Sequence, residues 1–167
     1  MIVTSIHDHP TARLTRRGVL VTGGLATTAL LAGCQTWEPQ PTYATGDAAR
    51  REAALPPSAP TLYVVNAPEC PWCRWWHATH EEEFEKSEAR TRLRYVKLMA
   101  PRIPDSVTES TWPKEDRWVW RMTVENRLHG TPLFVLVKDR KFIVGGNNAK
   151  LWATKYWPEV QRATGLA

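Results

Sequence analysis

Apolar and polar positions divide the chain into stretches of distinct period. Thr61-Leu62-Tyr63-Val64-Val65-Asn66 is a continuous β-branched and aromatic run bounded by Pro60 and Ala67-Pro68, which predicts a buried strand. A helical stretch follows from Pro71 to Lys86. Pro71 suits its first turn, because the N–H that proline lacks has no partner there. Leu93-Arg94-Tyr95-Val96-Lys97-Leu98 alternates and predicts a second strand, and Pro101 and Pro104 punctuate a loop. Pro113 to Leu128 predicts a second helix with Gly130 as its C-terminal stop. Within it Trp118 and Met122, and Trp120 and Val124, are one turn apart, so part of this helix packs on the sheet. Leu133–Val137 and Lys141–Val144 are two strands joined by a Lys138-Asp139-Arg140 hairpin loop. Asn147 and Asn148 can cap a last helix that runs to Trp157, where Pro158 kinks it or opens a further turn. The order is strand, helix, strand, helix, strand, strand, helix, an α/β pattern.

The first sixty residues follow another logic. Met1 to Arg17 is polar and ends basic, and Gly18 to Gly33 is apolar but too short and too rich in Gly and Thr to predict a transmembrane helix. Residues 1–33 therefore predict an export signal, to be set aside from the fold. Thr15-Arg16-Arg17-Gly18-Val19-Leu20 resembles a twin-arginine motif, and Leu31-Ala32-Gly33-Cys34 resembles the bacterial lipobox. On that resemblance Cys34 is a lipid attachment site and the first residue of the mature chain. Residues 34–60 hold Pro39, Pro41, Pro56, Pro57 and Pro60, with room for a short helix near Asp47–Leu55. They predict a tether that would reach roughly 80 Å if wholly extended, at ~3.1 Å per residue. Residues 61–167 form the working domain.

Composition narrows the function. At 167 residues the chain suits one compact domain with something extra, and it is too short for a porin or a long repeat array. Of the net charge of +5, an excess of two sits in Arg13, Arg16 and Arg17 against Asp8. No basic patch with interleaved aromatics remains, so nucleic acid is not an expected partner. Nine Trp promise a large aromatic payload. Three Cys cannot staple a disulfide-framed miniprotein, and their odd number leaves one with a separate job.

Cys70-Pro71-Trp72-Cys73 lies where the first strand gives way to the first helix. Thiol–disulfide exchange needs an attacking thiolate and a second thiol near enough to resolve the mixed disulfide. At a helix start Cys70 faces unpartnered N–H groups and the positive end of the macrodipole, which makes it the nucleophile; Cys73, inside the first turn, is the resolving thiol. Two bland readings stand beside this one: a purely structural disulfide, or half of a metal site completed by His77 and His80, although Cys-x₂-Cys-x₃-His-x₂-His on one helix is an unusual spacing. Arg74 excludes the Cys-x-x-Cys-His haem attachment pattern. No metal and no cofactor are expected. Trp72 puts an apolar plate beside the sulfur, either to dock a partner or to shield the site.

Three features in order, the Cys70–Cys73 motif, Gly130-Thr131-Pro132 before an apolar strand, and Gly145-Gly146 before the last helix, make residues 61–163 resemble the thioredoxin-like superfamily. The fold this implies is a central mixed β-sheet flanked by helices. The resemblance also implies a cis Thr131-Pro132 bond opposite Cys70, where Trp72, Thr131 and Pro132 bind a substrate segment. Thioredoxins carry a buried acid on the first strand, at a position matched here by about Val64. His77, one turn beyond Cys73, either replaces that acid as proton acceptor or is simply a packed histidine; Glu81, Glu82, Glu83 and Glu85 read as a solvated face. Within the superfamily the chain resembles small exported proteins of bacterial sulfur-oxidation systems. That implies a membrane-tethered oxidoreductase on the periplasmic side, reducing disulfides of periplasmic proteins and served by another redox protein. The alternative is a non-enzymatic lipoprotein that binds copper or zinc on the same scaffold.

Overall fold

The computed structural model describes residues 46–167. The export signal, Cys34 and the first part of the tether lie outside these residues. The helix expected near residue 47 is α1, Gly46–Ala53. It is tied to the domain: Glu52 pairs with Arg90 at 2.7 Å, both largely buried, and accepts the Tyr95 backbone N–H.

Strands β1 (Thr61–Asn66), β2 (Arg94–Met99), β3 (Leu133–Lys138) and β4 (Lys141–Gly146) form a four-stranded sheet in the order β2-β1-β3-β4. β1 runs parallel to β2 and antiparallel to β3, and β3 is antiparallel to β4. The central strands β1 and β3 are buried on both faces, which explains their unbroken apolar runs. Alternation still sorts their side chains. Leu62, Val64, Phe134 and Leu136 face one core with Trp76, Phe84, Trp152 and Tyr156. Tyr63, Val65, Leu133 and Val135 face the other with Trp112 and Val119. In the first core Trp76 is fully buried, edge-to-face against Phe134 at 5.2 Å and Trp152 at 5.0 Å.

The helix predicted from Pro71 to Lys86 is built as α2 (Pro71–Trp76), a π turn (His77–Glu81) and α3 (Glu82–Lys86); a short α4 (Glu88–Thr91) follows. The helix predicted from Pro113 begins later. Pro113 is extended at ψ 151°, a 3₁₀ turn covers Lys114–Asp116, and α5 spans Arg117–Glu125. Nor is Gly130 its stop. Arg127 takes the left-handed conformation at φ 53°, while its N–H reaches Val124 O and that of Leu128 reaches Thr123 O, the paired bonds of a Schellman ending. An L-residue is strained there, so Arg127→Gly is expected to stabilise the protein by about 0.5–1 kcal/mol, read as a higher midpoint in urea. Gly130, at φ +80°, instead turns the chain into the segment before β3, and Asn147 Nδ2 lies 2.6 Å from where a Cβ would stand.

The last helix opens with a 3₁₀ turn (Ala149–Leu151) and a π turn (Trp152–Tyr156) before α6, Trp157–Ala163. Asn148 caps its start, accepting the Lys150 N–H as expected. Pro158 opens a further turn, the second of its two readings: it sits in the first turn of α6.

Candidate functional site

The site forms where β1 runs out. Cys70 is the N-cap of α2 and its Sγ accepts the Cys73 N–H at 3.0 Å. That bond directs one of the helix's unpartnered donors at the sulfur and favours its thiolate when the pair is reduced. Cys70 and Cys73 are joined in a disulfide, with Cα atoms 5.3 Å apart. Both are buried, Cys70 at 1% and Cys73 at 3% exposure. Burial suits the resolving role given to Cys73; burial of Cys70 leaves the attacking sulfur closed off from a partner.

The cover is Ile103, which packs with Ala67 on the two cysteines. It opens a 3₁₀ turn, Ile103–Val107, in the long segment between β2 and α5. Glu69 accepts the Ile103 N–H at 2.7 Å, so its carboxylate is turned to that segment. Arg102 and Asp105 pair beside it. Further along, Trp112 Nε1 donates to Ser106 O and Trp120 Nε1 to Val107 O. Trp112 and Trp120 thus pack in the second core and also hold the segment that carries Ile103.

Trp72 is 46% exposed, with Trp75 edge-on at 5.9 Å and His80 half-buried against Trp75. The Thr131-Pro132 peptide bond is cis. Thr131 shares a groove with Trp72. The Val64 position holds no acid, but its partner across the parallel ladder is Lys97. Lys97 Nζ meets Glu81 Oε1 at 2.6 Å, Tyr95 donates its hydroxyl to the same oxygen at 2.8 Å, and His77 Nδ1 donates to Glu81 Oε2 at 2.5 Å.

Glu81 is the residue that sequence reasoning missed. Its side chain is only 16% exposed and it joins helix to sheet, whereas Glu82 and Glu83 are solvated as expected. Burial alone would raise its pKa, but hydrogen bonds from His77, Lys97 and Tyr95 outweigh that and lower it to about 2. Burial, and then the Glu81 charge, push the Tyr95 phenol well above its ordinary value. Because the Glu81 pKa is depressed in the folded state, its contribution is present above about pH 4.5 and lost as pH falls toward 2. Asp116, raised by burial, works in the opposite sense, so the comparison with a variant isolates Glu81. Glu81→Gln is expected to cost roughly 1–3 kcal/mol at pH 7, allowing for partial exposure, and the difference from wild type closes near pH 2 in urea titrations.

Among the described residues no group of three or more His, Cys, Asp or Glu side chains is placed to hold a metal ion. No described helix is long and apolar enough to cross a membrane.

The sheet order, the helices on both faces and a disulfide at the start of the first core helix define a thioredoxin-like α/β fold. No family model and no curated protein matches the chain. Among solved structures it is similar to the crystal structure of Trxlp from Edwardsiella tarda EIB202, with 17% identity, a TM-score of 0.39, and coverage of 65% of this chain and 91% of that one.

Proposed function

We propose that this chain is a thiol–disulfide oxidoreductase, exported and tethered to a bacterial membrane through Cys34, that reduces disulfides of periplasmic proteins. The observation that carries the reading is the Cys70 sulfur at a helix N-cap, accepting the Cys73 N–H and bonded to Cys73. In the cycle the Cys70 thiolate attacks a partner disulfide, forms a mixed disulfide and expels one partner thiolate. Cys73 then attacks the Cys70 sulfur and expels the other, which leaves the Cys70–Cys73 disulfide and two electrons on the partner. A second protein dithiol restores the reduced pair. Trp72, Thr131 and Pro132 receive the partner segment.

His77 is the proton acceptor in this reading. Its ring is held in place by the contact of Nδ1 with Glu81. The reducing direction and the periplasmic setting follow the sequence resemblance, and export follows Arg16-Arg17 and the lipobox-like Leu31-Ala32-Gly33-Cys34. The metal-binding alternative draws no support from the site, where the cysteines are bonded to each other and His77 to Glu81.

Equilibration of the full chain in graded thiol–disulfide buffers, with free thiols at Cys70 and Cys73 counted by alkylation and mass, tests the chemistry. A two-electron midpoint near about −270 mV supports the reductase, one near about −120 mV makes the protein a disulfide donor, and a pair that never oxidises overturns the reading. For the tether, Cys34→Ser is expected to move the protein from the membrane fraction to the soluble one. An unchanged membrane fraction overturns lipid attachment.

A further inference from the structure

Beside Trp72 lies a groove of about 420 Å³, lined by Trp72, Thr131, Asn147, Asn148, Ala149 and Lys150. Its chemistry is uneven. Lys150 is the charged residue of the lining; its Nζ stands 4.9 Å over the Trp72 ring, and it is exposed and in no ion pair with a described carboxylate. Arg74, the cation next to the motif, is occupied elsewhere, donating to the Pro68 carbonyl. The lining also offers Thr131, 7% exposed, whose buried hydroxyl has no partner among the described residues. The Asn147 amide stands close against Gly130.

We infer that this groove selects partner segments that carry a carboxylate beside the reactive cysteine, and that Lys150 is the group that meets it. The inference rests on the exchange reading above and names its substrate class: an extended peptide with Asp or Glu next to its cysteine. An ammonium held over an indole face is positioned, so an added carboxylate gains a charge-assisted hydrogen bond with little further ordering. A lysine or arginine at the same place meets like charge in a groove whose lining has no acid to offset it. Lys150 overlies Trp72, which is two residues from Cys70, and an extended peptide advances ~3.3–3.6 Å per residue, so the positions next to the partner's cysteine are the ones to vary.

The test uses the reduced full chain and three short peptides that differ only in the residues flanking a single cysteine: Asp, Ala or Lys. Each cysteine is a mixed disulfide with 2-thiopyridine. Cys70 attacks the peptide sulfur and expels thiopyridine, which is counted by absorbance; Cys73 then releases the peptide thiol and closes the Cys70–Cys73 disulfide. Rates are divided by those of each peptide with dithiothreitol, which removes the peptide's own reactivity. The expected order is Asp, Ala, Lys, with Asp about fivefold over Lys at low salt and the gap closing as ionic strength rises. Lys150→Glu is expected to invert the order, and Lys150→Met to level it, with circular dichroism reporting the fold of each. Equal rates in the wild type, or the wild-type order retained in both variants, overturn the inference. A wild type that reacts with no peptide and with no neutral small disulfide overturns the exchange reading itself.

Discussion

Cys73→Ser is expected to stop the cycle halfway. The Cys70 thiolate still attacks a partner disulfide, but nothing within the protein expels the partner, so a covalent adduct accumulates that reductant dissolves. Turnover falls by at least about a hundredfold, because an intramolecular thiol three residues away is replaced by dilute external thiol. Cys70→Ser is expected to be equally inactive and to form no adduct. Non-reducing electrophoresis and mass spectrometry of the two variants read the result. An adduct on Cys70→Ser and none on Cys73→Ser would exchange the roles given to the two sulfurs, against the helix N-cap geometry that sets them apart.

Trp76→Ala is expected to be the most destabilising single change in the first core, at about 3–5 kcal/mol. The indole is wholly buried and touches Phe134 from β3 and Trp152 from the last helix, so its loss opens a cavity bounded by three elements. Its Nε1–H is buried without an acceptor among the described residues. Trp76→Phe is expected to cost markedly less than Trp76→Ala, since both remove that donor but Phe keeps most of the ring that packs on Phe134 and Trp152. Denaturant unfolding followed by circular dichroism measures both. Equal costs for the two would mean that the site collapses around the smaller residue. Because Trp76 is three residues from Cys73 on the same helix, Trp76→Ala also tests how far the motif depends on the core beneath it.

What was legible in the sequence is what short-range physics decides. The strands β1 and β3 showed themselves as unbroken apolar runs, the hairpin by its polar loop, and the motif by two cysteines at a helix start. What stayed hidden depends on contacts between distant segments. Glu81 sits in a run of glutamates and carries no local mark; only the turn after Trp76 and the β1–β2 pairing bring it to Lys97 and Tyr95. The late start of α5 turns on the ψ of one proline, and its end on Arg127 in a conformation that composition does not announce. Ile103 reads as one apolar residue in a proline-punctuated loop until Trp112 and Trp120 are seen to hold that loop against the domain.

That covering isoleucine separates two quantities that are often read from one another. A reduction potential compares the oxidised and reduced end states, and a cover that packs alike on both leaves it unmoved. Speed is another matter. With Cys70 buried and Ile103 packed on the pair, the proposed attack would require that contact to open, and its rate would be the intrinsic rate multiplied by the fraction of time the contact is open. Each ~1.4 kcal/mol holding it shut slows exchange tenfold. A dithiol of ordinary potential can thus be slow toward stray thiols and faster toward a partner whose docking displaces the cover.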